Sequence, residues 1–395
     1  MFPLSAKSER IVIAAILALA IALRVVAAMV LPDQSHLLND VLGFRDTAAG
    51  LLTHWQMANL HQMPAYPLLI AVTGPGIGQL AADIALSVIS VWLVYALARK
   101  LFADQVATVC AGIAAACYPP LIFFSVVGLS ETLFIMLVLA AFLFWYRGSF
   151  TGAAVAAVLA ILTRPIFDLF VPALVLWFAL VVHRLSLTQA LRWFAVYVIV
   201  YCSLIMPWWL NNLGVYGTFV RLTPGAGMVL YAGNNPLNRS GGGNVGVDYD
   251  LSAFMKIADP VERDRALRNA AFAYIIEHPQ RFLELAGLKF VRIWPLWPTH
   301  EGYANVATIL FAIASIVPAL LLAGIGLILK RHMVRRLSPI LLFGLGYTVV
   351  HMALAGTIRY RLALESFLLI FSGAAAGYLI RTVGFGSAPW RNQLM

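Results

Sequence analysis

The chain has 395 residues, of which 62% are hydrophobic and 11% are charged, whereas a soluble protein carries roughly 25% charged residues. This composition excludes an ordinary soluble domain. The net charge of +10 does not indicate nucleic acid as a partner, because the lysines and arginines of a membrane protein collect in its cytoplasmic loops. Several apolar runs approach the roughly 20 residues that a bilayer span requires. The sequence therefore predicts an all-α polytopic membrane protein.

About ten apolar segments are predicted to cross the bilayer. Lys7 and Arg10 precede the first one and indicate a cytoplasmic N-terminus. This segment is too long for the apolar region of a cleavable signal, so we expect it to be retained. Basic residues stand at the edge of each loop assigned to the inside, which places both termini in the cytoplasm. The ten segments lie at about 11–31, 79–98, 105–124, 130–146, 150–163, 166–183, 191–210, 303–329, 338–356 and 361–380.

Two stretches outside the spans divide the chain. Residues 32–78 form the first outer loop, within an N-terminal membrane module of residues 1–210. Residues 211–302 form the only long polar region of the sequence, in which amphipathic helices are expected, and residues 303–395 carry the last membrane helices. Both outer stretches are predicted to place juxtamembrane helices at the outer face of the bilayer.

Charged residues that are unusual for membrane spans gather on one side of the bilayer. Such charges are costly in hydrocarbon, and they usually face a cavity or a partner. The outer side is where the sequence places Arg24, Asp40, Asp46, Asp83, Glu131, Arg164, Asp168, Arg359, Arg361 and Glu365. This one-sided distribution predicts a site at the outer surface of the membrane, for a substrate with an anionic, membrane-embedded part.

Structural roles are open for several of these residues. Arg361 and Glu365 are one helical turn apart and can pair with each other. Asp40 stands at the start of a plausible interfacial helix and can cap it. The residues alone therefore allow either a catalytic or a capping role for Asp40.

A series of short motifs runs through the chain. Its members are Asp40 with Phe44 and Ala48, Pro64-Ala65-Tyr66-Pro67, Ser130-Glu131-Thr132, Leu162-Thr163-Arg164-Pro165, Pro207-Trp208, Gly233-Asn234-Asn235-Pro236, His278-Pro279, Lys289 through Trp294, and Arg359-Tyr360-Arg361 with Glu365. Over about residues 10–380, this series resembles the polytopic glycosyltransferases of the GT-C fold, the group of protein O-mannosyltransferases and aminoarabinose transferases. One position departs from the pattern: Asn211 stands where many members carry an arginine, four residues after the proline of the Pro-Trp motif.

The resemblance implies an enzyme that transfers a sugar from a polyprenyl-phosphate donor to a cell-envelope acceptor, which is a glycan, a lipid or a protein. It also implies a place in the bacterial inner membrane and an active site on the periplasmic face. Because no cluster of metal ligands is visible in the sequence, we expect neither a metal nor another cofactor. The acceptor must lose a proton, so a carboxylate is the natural base, and Asp40 occupies the matching position. Direct displacement by the acceptor inverts the anomeric centre.

The other site residues are also carried over from the resemblance. Glu131 is the second catalytic carboxylate, which orients the acceptor or tunes Asp40. Tyr66 and His61 are expected to line the sugar side of the site. The departing phosphate gains negative charge that fixed cations stabilise, and the candidate cations are Arg164, Lys289, Arg359 and Arg361.

Two other functions are compatible with a polytopic chain. A transporter or a lipid flippase would place charges near the midplane and often contains internal repeats, whereas the charges here lie toward one face and the sequence contains no visible repeat. A polymerase or ligase of lipid-linked glycans would carry a large outer loop rich in arginine and histidine. The identities of the sugar and of the acceptor stay open.

Overall fold

The computed structural model describes residues 5–31, 39–54, 57, 62–243, 245–297 and 305–384. Within these residues the chain is helical apart from its loops and one isolated β-bridge between Val245 and Tyr249. This confirms the predicted all-α fold. The helices of the described residues are α1 (Ala6–Val30), α2 (Asn39–His54), α3 (Ala65–Thr73), α4 (Ile77–Phe102), α5 (Gln105–Cys117), α6 (Pro119–Phe124), α7 (Glu131–Arg147), α8 (Phe150–Thr163), α9 (Val171–Trp177), α10 (Leu187–Tyr216), α11 (Ala226–Gly233), α12 (Pro260–Glu277), α13 (Pro279–Ile293), α14 (Val306–Leu329), α15 (Val334–Ala353) and α16 (Ile358–Gly384).

Among the described residues, six helices are long and apolar enough to cross a membrane, namely α1, α4, α10, α14, α15 and α16, and they coincide with six of the predicted spans. The other four predicted spans are shorter or broken. The span at 105–124 divides at Tyr118 into α5 and α6, because Pro119 and Pro120 begin a new helix. The span at 166–183 consists of a 3₁₀ turn, α9 and a π-helical turn. The predicted spans at 130–146 and 150–163 correspond to α7 and α8. The chain is an integral membrane protein.

Helix α10 extends beyond the predicted end of its span near residue 210. It continues through Pro207 to Tyr216 and ends at Gly217, which adopts the left-handed conformation with a φ of 65°. A proline removes only one backbone donor, and membrane helices tolerate it where neighbouring groups satisfy the backbone. Asn211 therefore stands on a helix and not in a loop.

Polar contacts join helix ends on the face of the bundle that we call the basic face, defined by Arg99, Lys100, Arg147, Arg184, Arg331, Arg335, Arg336 and Arg381. Arg99 at the end of α4 pairs with Glu9 in the first turn of α1. Arg381 near the end of α16 pairs with Asp104, which precedes α5. The N-terminal end of α1 and the C-terminal end of α16 thus lie on the same face, as the predicted topology requires. The opposite face carries Asp40, and we call it the site face.

Helix α16 forms the centre of the bundle and packs against α4, α5, α7 and α14. Its contact with α5 is a close approach of two backbones. A Cβ atom at Gly373 would lie 2.5 Å from the backbone nitrogen of Ala111, and one at Gly377 would lie 2.7 Å from that of Ala107. Small residues permit such close packing between membrane helices. Because α16 begins at Ile358, this packing fixes the helix that presents Arg359 at the site face.

The long polar region folds into helices α11, α12 and α13 at the site face. Asp259 begins α12, since its carboxylate accepts hydrogen bonds from the backbone N–H groups of Val261 and Glu262. Helix α13 follows after Pro279 and packs against α15 and α16. The polar region is therefore in direct contact with the helix that carries Arg359.

Candidate functional site

Four charged side chains from four parts of the chain meet at the site face, and we call them the charged cluster: Asp40, Glu131, Arg164 and Arg359. Arg359 donates from Nη1 to Asp40 Oδ2 and from Nε to Glu131 Oε1, each at 2.6 Å. Arg164 Nη1 lies 2.9 Å from the same Glu131 oxygen. One arginine thus bridges two carboxylates, and one carboxylate bridges two arginines.

Each member of the charged cluster is presented by a helix end. Asp40 lies in the first turn of α2, and Glu131 is the first residue of α7, where the positive end of the helix dipole favours a carboxylate. Arg164 follows the last residue of α8, and Pro165 stops that helix. Arg359 is the second residue of α16. The sequence therefore places these charges at the membrane surface by ending or beginning a helix beside each of them.

The two carboxylates differ sharply in exposure. The side chain of Glu131 is 3% exposed, whereas that of Asp40 is 55% exposed. A buried carboxylate requires paired cations to offset the cost of its desolvation, and Glu131 has two. Asp40 is reachable from solvent, although one of its oxygens accepts a bond from Arg359. Glu131 thus contacts both arginines from the interior, and Asp40 is accessible from solvent.

Aromatic rings border the charged cluster on the side of Arg164. The guanidinium carbon of Arg164 lies 5.6 Å from the ring centroid of Tyr360 and 6.0 Å from that of Phe134. The Tyr360 ring in turn packs on His351, with ring centroids 4.1 Å apart. Such contacts hold a guanidinium by cation–π attraction. Tyr360 belongs to a motif that the sequence analysis identified, whereas no sequence signal pointed to His351, which lies inside a predicted span.

Arg361 is not part of the charged cluster. Its Nε lies 2.7 Å from Glu365 Oε1, which also accepts a hydrogen bond of 2.8 Å from the hydroxyl of Tyr118. Arg361 also donates to the carbonyl of Pro295, and both members of the pair are buried. The structure therefore places Arg361 in the structural pair that the sequence allowed as the alternative to phosphate binding.

Lys289 also lies outside the charged cluster. Its Nζ donates to Asn234 Oδ1 at 2.9 Å and to the carbonyl oxygen of Ala353 at 3.3 Å. The side chain is buried, and burial lowers its pKa from 10.5 to about 7. Ala353 ends α15, so Lys289 contacts the segment that leads to Arg359.

Tyr66 lies in the interior beneath α2 and not on an open surface. Its hydroxyl donates to Asp83 Oδ2 at 2.7 Å and accepts a bond of 3.1 Å from the side-chain amide of Gln79. Its ring packs edge-on against Phe44, with centroids 5.0 Å apart. His61, the other residue predicted on the sugar side, lies outside the described residues.

Asn211 has a structural role that explains the absence of a cation at this position. Its side-chain oxygen accepts from the backbone N–H of Met57 at 3.1 Å, and its nitrogen donates to the carbonyl of Met57 at 3.2 Å. An amide side chain reproduces the pairing of a peptide unit, which an arginine does not do because it has no acceptor. Asn211 therefore joins α10 to the connection between α2 and α3.

A second ion pair at the site face involves a residue that the sequence did not single out. Arg221, in the loop after α10, pairs with the buried Asp168 at 2.5 Å and donates to the hydroxyl of Tyr201 at 3.2 Å. The loop is held by Trp209, whose ring N–H donates to the carbonyl of Arg221. The only available signal was Asp168 itself, a carboxylate in an apolar segment that requires a cation.

A metal site does not emerge from the part of the chain that the structure describes, in which no three histidine, cysteine or acidic side chains are grouped closely enough to hold an ion. The charged cluster itself offers two kinds of chemistry. Two guanidinium groups can hold an anion, with the geometry that suits phosphate oxygens. An accessible carboxylate beside them can accept a proton.

Comparison with solved structures shows which fold the chain has. The apo oligosaccharyltransferase of Archaeoglobus fulgidus superposes with a TM-score of 0.56 at 11% identity, over 94% of this chain and 51% of the archaeal one. Oligosaccharyltransferase AglB of the same organism, in complex with an inhibitory peptide and a dolichol-phosphate, gives a TM-score of 0.54 at 11% identity, over 96% and 51% of the two chains. ArnT of Cupriavidus metallidurans bound to undecaprenyl phosphate gives 0.43 at 15% identity, over 96% and 78%.

These comparisons confirm the predicted GT-C fold. The chain spans about half the length of the archaeal oligosaccharyltransferases that it matches. The sequence matches no protein-family model and no curated protein.

Proposed function

We propose that this protein is an integral-membrane glycosyltransferase that moves a sugar from a polyprenyl-phosphate donor to a cell-envelope acceptor. The observation that carries the proposal is the charged cluster, in which Arg359 contacts both Asp40 and Glu131. The fold adds support, because one archaeal oligosaccharyltransferase that shares it is in complex with a dolichol-phosphate. A prenyl chain would lie against the apolar surface of the spans, with its phosphate at the site face.

In the proposed reaction, Asp40 is the general base. The acceptor oxygen or nitrogen forms a bond to the anomeric carbon while the bond from that carbon to the phosphate oxygen breaks. The acceptor proton passes to the Asp40 carboxylate, and the electron pair of the broken bond leaves with polyprenyl phosphate. Attack opposite the leaving group inverts the anomeric centre. The exposure of Asp40 supports this role, since a base must reach the proton that it removes.

Arg164 and Arg359 are the proposed ligands of the donor phosphate. Glu131 would keep both arginines in place, because it is buried beneath them and contacts each one. Arg361 already pairs with Glu365, and Lys289 already donates to Asn234 and to a backbone carbonyl. We therefore propose no direct phosphate contact for either residue. The predicted contribution of Tyr66 and His61 to the sugar side stays a prediction.

The phosphate would also control the base. In the free protein, Arg359 occupies Oδ2 of Asp40 and the charged cluster is neutral, with two arginines and two carboxylates. A bound phosphate adds an anion, and it would draw Arg359 away from the exposed Asp40 more readily than from the buried Glu131. Asp40 would then be available to the acceptor. The proposed order is therefore donor first and acceptor second.

The orientation proposed for the protein follows from its charge distribution. The basic face gathers lysine and arginine at helix ends, which is typical of the cytoplasmic side. The site face would then be periplasmic, in the inner membrane of a bacterium, with both termini cytoplasmic. Polyprenyl-linked sugars and envelope acceptors would meet there.

The test is a transfer assay with purified protein in lipid nanodiscs. A panel of polyprenyl-phosphate-linked sugars is supplied together with envelope lipids, glycans and proteins, and released polyprenyl phosphate is measured. We expect release with at least one donor, and loss of release in the Asp40→Asn variant. Full activity of that variant would contradict the base assignment. Movement of intact donor across proteoliposomes without release would instead support the lipid flippase and overturn the proposal.

A further inference from the structure

The side chain of Gln79 connects three segments beneath the charged cluster. Gln79 lies in the first turn of α4 and is buried. Its amide oxygen accepts from Arg45 Nε at 3.0 Å. Its amide nitrogen donates to the hydroxyl of Tyr66 at 3.1 Å and to the carbonyl oxygen of Gly128 at 3.3 Å. The acceptor and both donors of this one amide are thus in use.

Two of these three partners belong to the segments that carry the carboxylates of the charged cluster. Arg45 stands on α2, five residues after Asp40, and Gly128 lies three residues before Glu131. Each residue is therefore within about one or two turns of a carboxylate. Gln79 thus connects, by hydrogen bonds, the segment that presents Asp40 and the segment that presents Glu131.

The backbone at Gly128 is shaped for this contact. Gly128 has a φ of +79°, which favours glycine. A Cβ atom there would lie 2.9 Å from Nε2 of Gln79 and 3.5 Å from a methyl group of Val41, the neighbour of Asp40. The loop before α7 thus runs directly under α2, and the amide of Gln79 fills the space beside it.

The third partner anchors the connection in the membrane interior. Tyr66 donates a hydrogen bond from its hydroxyl to Asp83, one turn further along α4 from Gln79. The Tyr66 ring also supports Phe44 on α2. Gln79 is therefore held by its own helix on one side and by α3 on the other, so that it is a fixed point to which α2 and the loop before α7 are hydrogen-bonded.

From this geometry we propose that Gln79 is a positioning residue, which fixes Asp40 relative to Glu131 and so sets the distance between the base and the phosphate-binding arginines. The inference rests on the proposed function for its effect on catalysis. It predicts a defined defect: the donor still binds, because Arg164 and Arg359 are untouched, but the base is misplaced. A displacement of about 1 Å in a catalytic group can lower a rate by about a hundredfold.

Two variants test the proposal. Gln79→Leu removes all three hydrogen bonds while the side chain keeps a similar size. Gln79→Glu keeps the acceptor for Arg45 but loses the donors to Tyr66 and Gly128. The matched control is Gln105→Leu, because Gln105 also donates to a tyrosine hydroxyl, that of Tyr95 at 3.3 Å, but at the basic face. We expect kcat to fall about ten- to a hundredfold in both Gln79 variants, while polyprenyl-phosphate binding is weakened by no more than about twofold and Gln105→Leu keeps its activity.

Amide hydrogen exchange provides a readout that does not depend on catalysis. In Gln79→Leu, exchange should increase in residues 39–54 and 125–131, while α10 and α16 keep the protection of the unmodified protein. In Gln79→Glu, the increase should be larger at 125–131 than in α2, because the bond to Arg45 is retained. Melting temperatures equal to that of Gln105→Leu establish that the bundle is intact.

Unchanged exchange in both segments would overturn the positioning role, and so would a kcat of Gln79→Leu within twofold of the control. If the unmodified protein has no transfer activity but the Gln79 variants show the expected exchange, Gln79 is still the link between α2 and the loop before α7. Only the proposed function would then be contradicted. A general rise in exchange across α10 and α16 in both variants would mean a loss of fold, and it would contradict the local role.

Discussion

Arg359 holds Asp40 through a hydrogen bond of 2.6 Å between Nη1 and Oδ2, although the side chain of Asp40 is more than half exposed. The same guanidinium contacts the buried Glu131. In the proposed mechanism, a substrate anion and Asp40 would therefore compete for one edge of Arg359. The proposed mechanism can therefore be tested by the affinity for polyprenyl phosphate as well as by the rate of transfer.

Replacing Asp40 by asparagine is expected to tighten the binding of polyprenyl phosphate while it abolishes transfer. An exposed ion pair contributes about 0.2–1 kcal/mol, so removal of the internal competitor should lower Kd by up to about fivefold. Loss of a general base should lower kcat by about a hundredfold or more. Binding is measured by quenching of tryptophan fluorescence in nanodiscs. Asp46→Asn is the control, since Asp46 lies in the same helix, and an unchanged Kd in Asp40→Asn would show that the two anions do not compete.

Replacing Glu131 by glutamine should destabilise the protein. Glu131 is buried and contacts both Arg164 and Arg359, and removal of one partner from a buried ion pair costs about 3 kcal/mol. The control is Glu284→Gln, because Glu284 forms an exposed pair with Arg281 at 2.7 Å, which contributes about 0.5 kcal/mol. Thermal unfolding in one detergent compares the two variants. Equal melting temperatures would mean that Glu131 does not hold the arginines.

Lys289 should make stability depend on pH. Burial lowers the pKa of Lys289 from 10.5 to about 7, so between these values the unfolded chain carries a proton that the folded chain lacks. Stability from this group therefore rises as the pH increases from about 7 toward 10, and it is level below pH 7, where both states are protonated. Melting temperatures at pH 6 to 9.5 should show a steeper rise for the unmodified protein than for Lys289→Met. Lys256→Met, at an exposed lysine, should retain the slope, and an equal slope in Lys289→Met would contradict the assignment.

Much of the fold was predictable, because a membrane span is recognisable from the length of its apolar segment. Helices α1, α4, α14 and α16 lie where the hydropathy placed them. The continuation of α10 through Pro207 was not predictable, since a proline ends some helices and passes through others according to the neighbours that satisfy the backbone. Those neighbours are set by packing between distant parts of the chain.

The candidate site was predictable in part for a related reason. Glu131, Arg164 and Arg359 stand at predicted span ends and Asp40 lies in the first outer loop, so topology alone brings them to one face. Arg361 also stands at a predicted span end. Residues two positions apart on a helix are rotated by about 200° about its axis, so only one of Arg359 and Arg361 can face Asp40. The contacts of Gln79 connect residues 34 and 49 positions apart, and no local pattern encodes such a pairing.

The close backbone contact between α16 and α5 has a consequence for motion. At Gly373 and Gly377 only a hydrogen atom of α16 faces Ala111 and Ala107, so a shift of α16 along its axis would bring larger side chains against these two residues. Close packing therefore opposes a piston-like stroke of α16. In the proposed mechanism, we expect Arg359 to exchange partners by rotation of its own side-chain bonds.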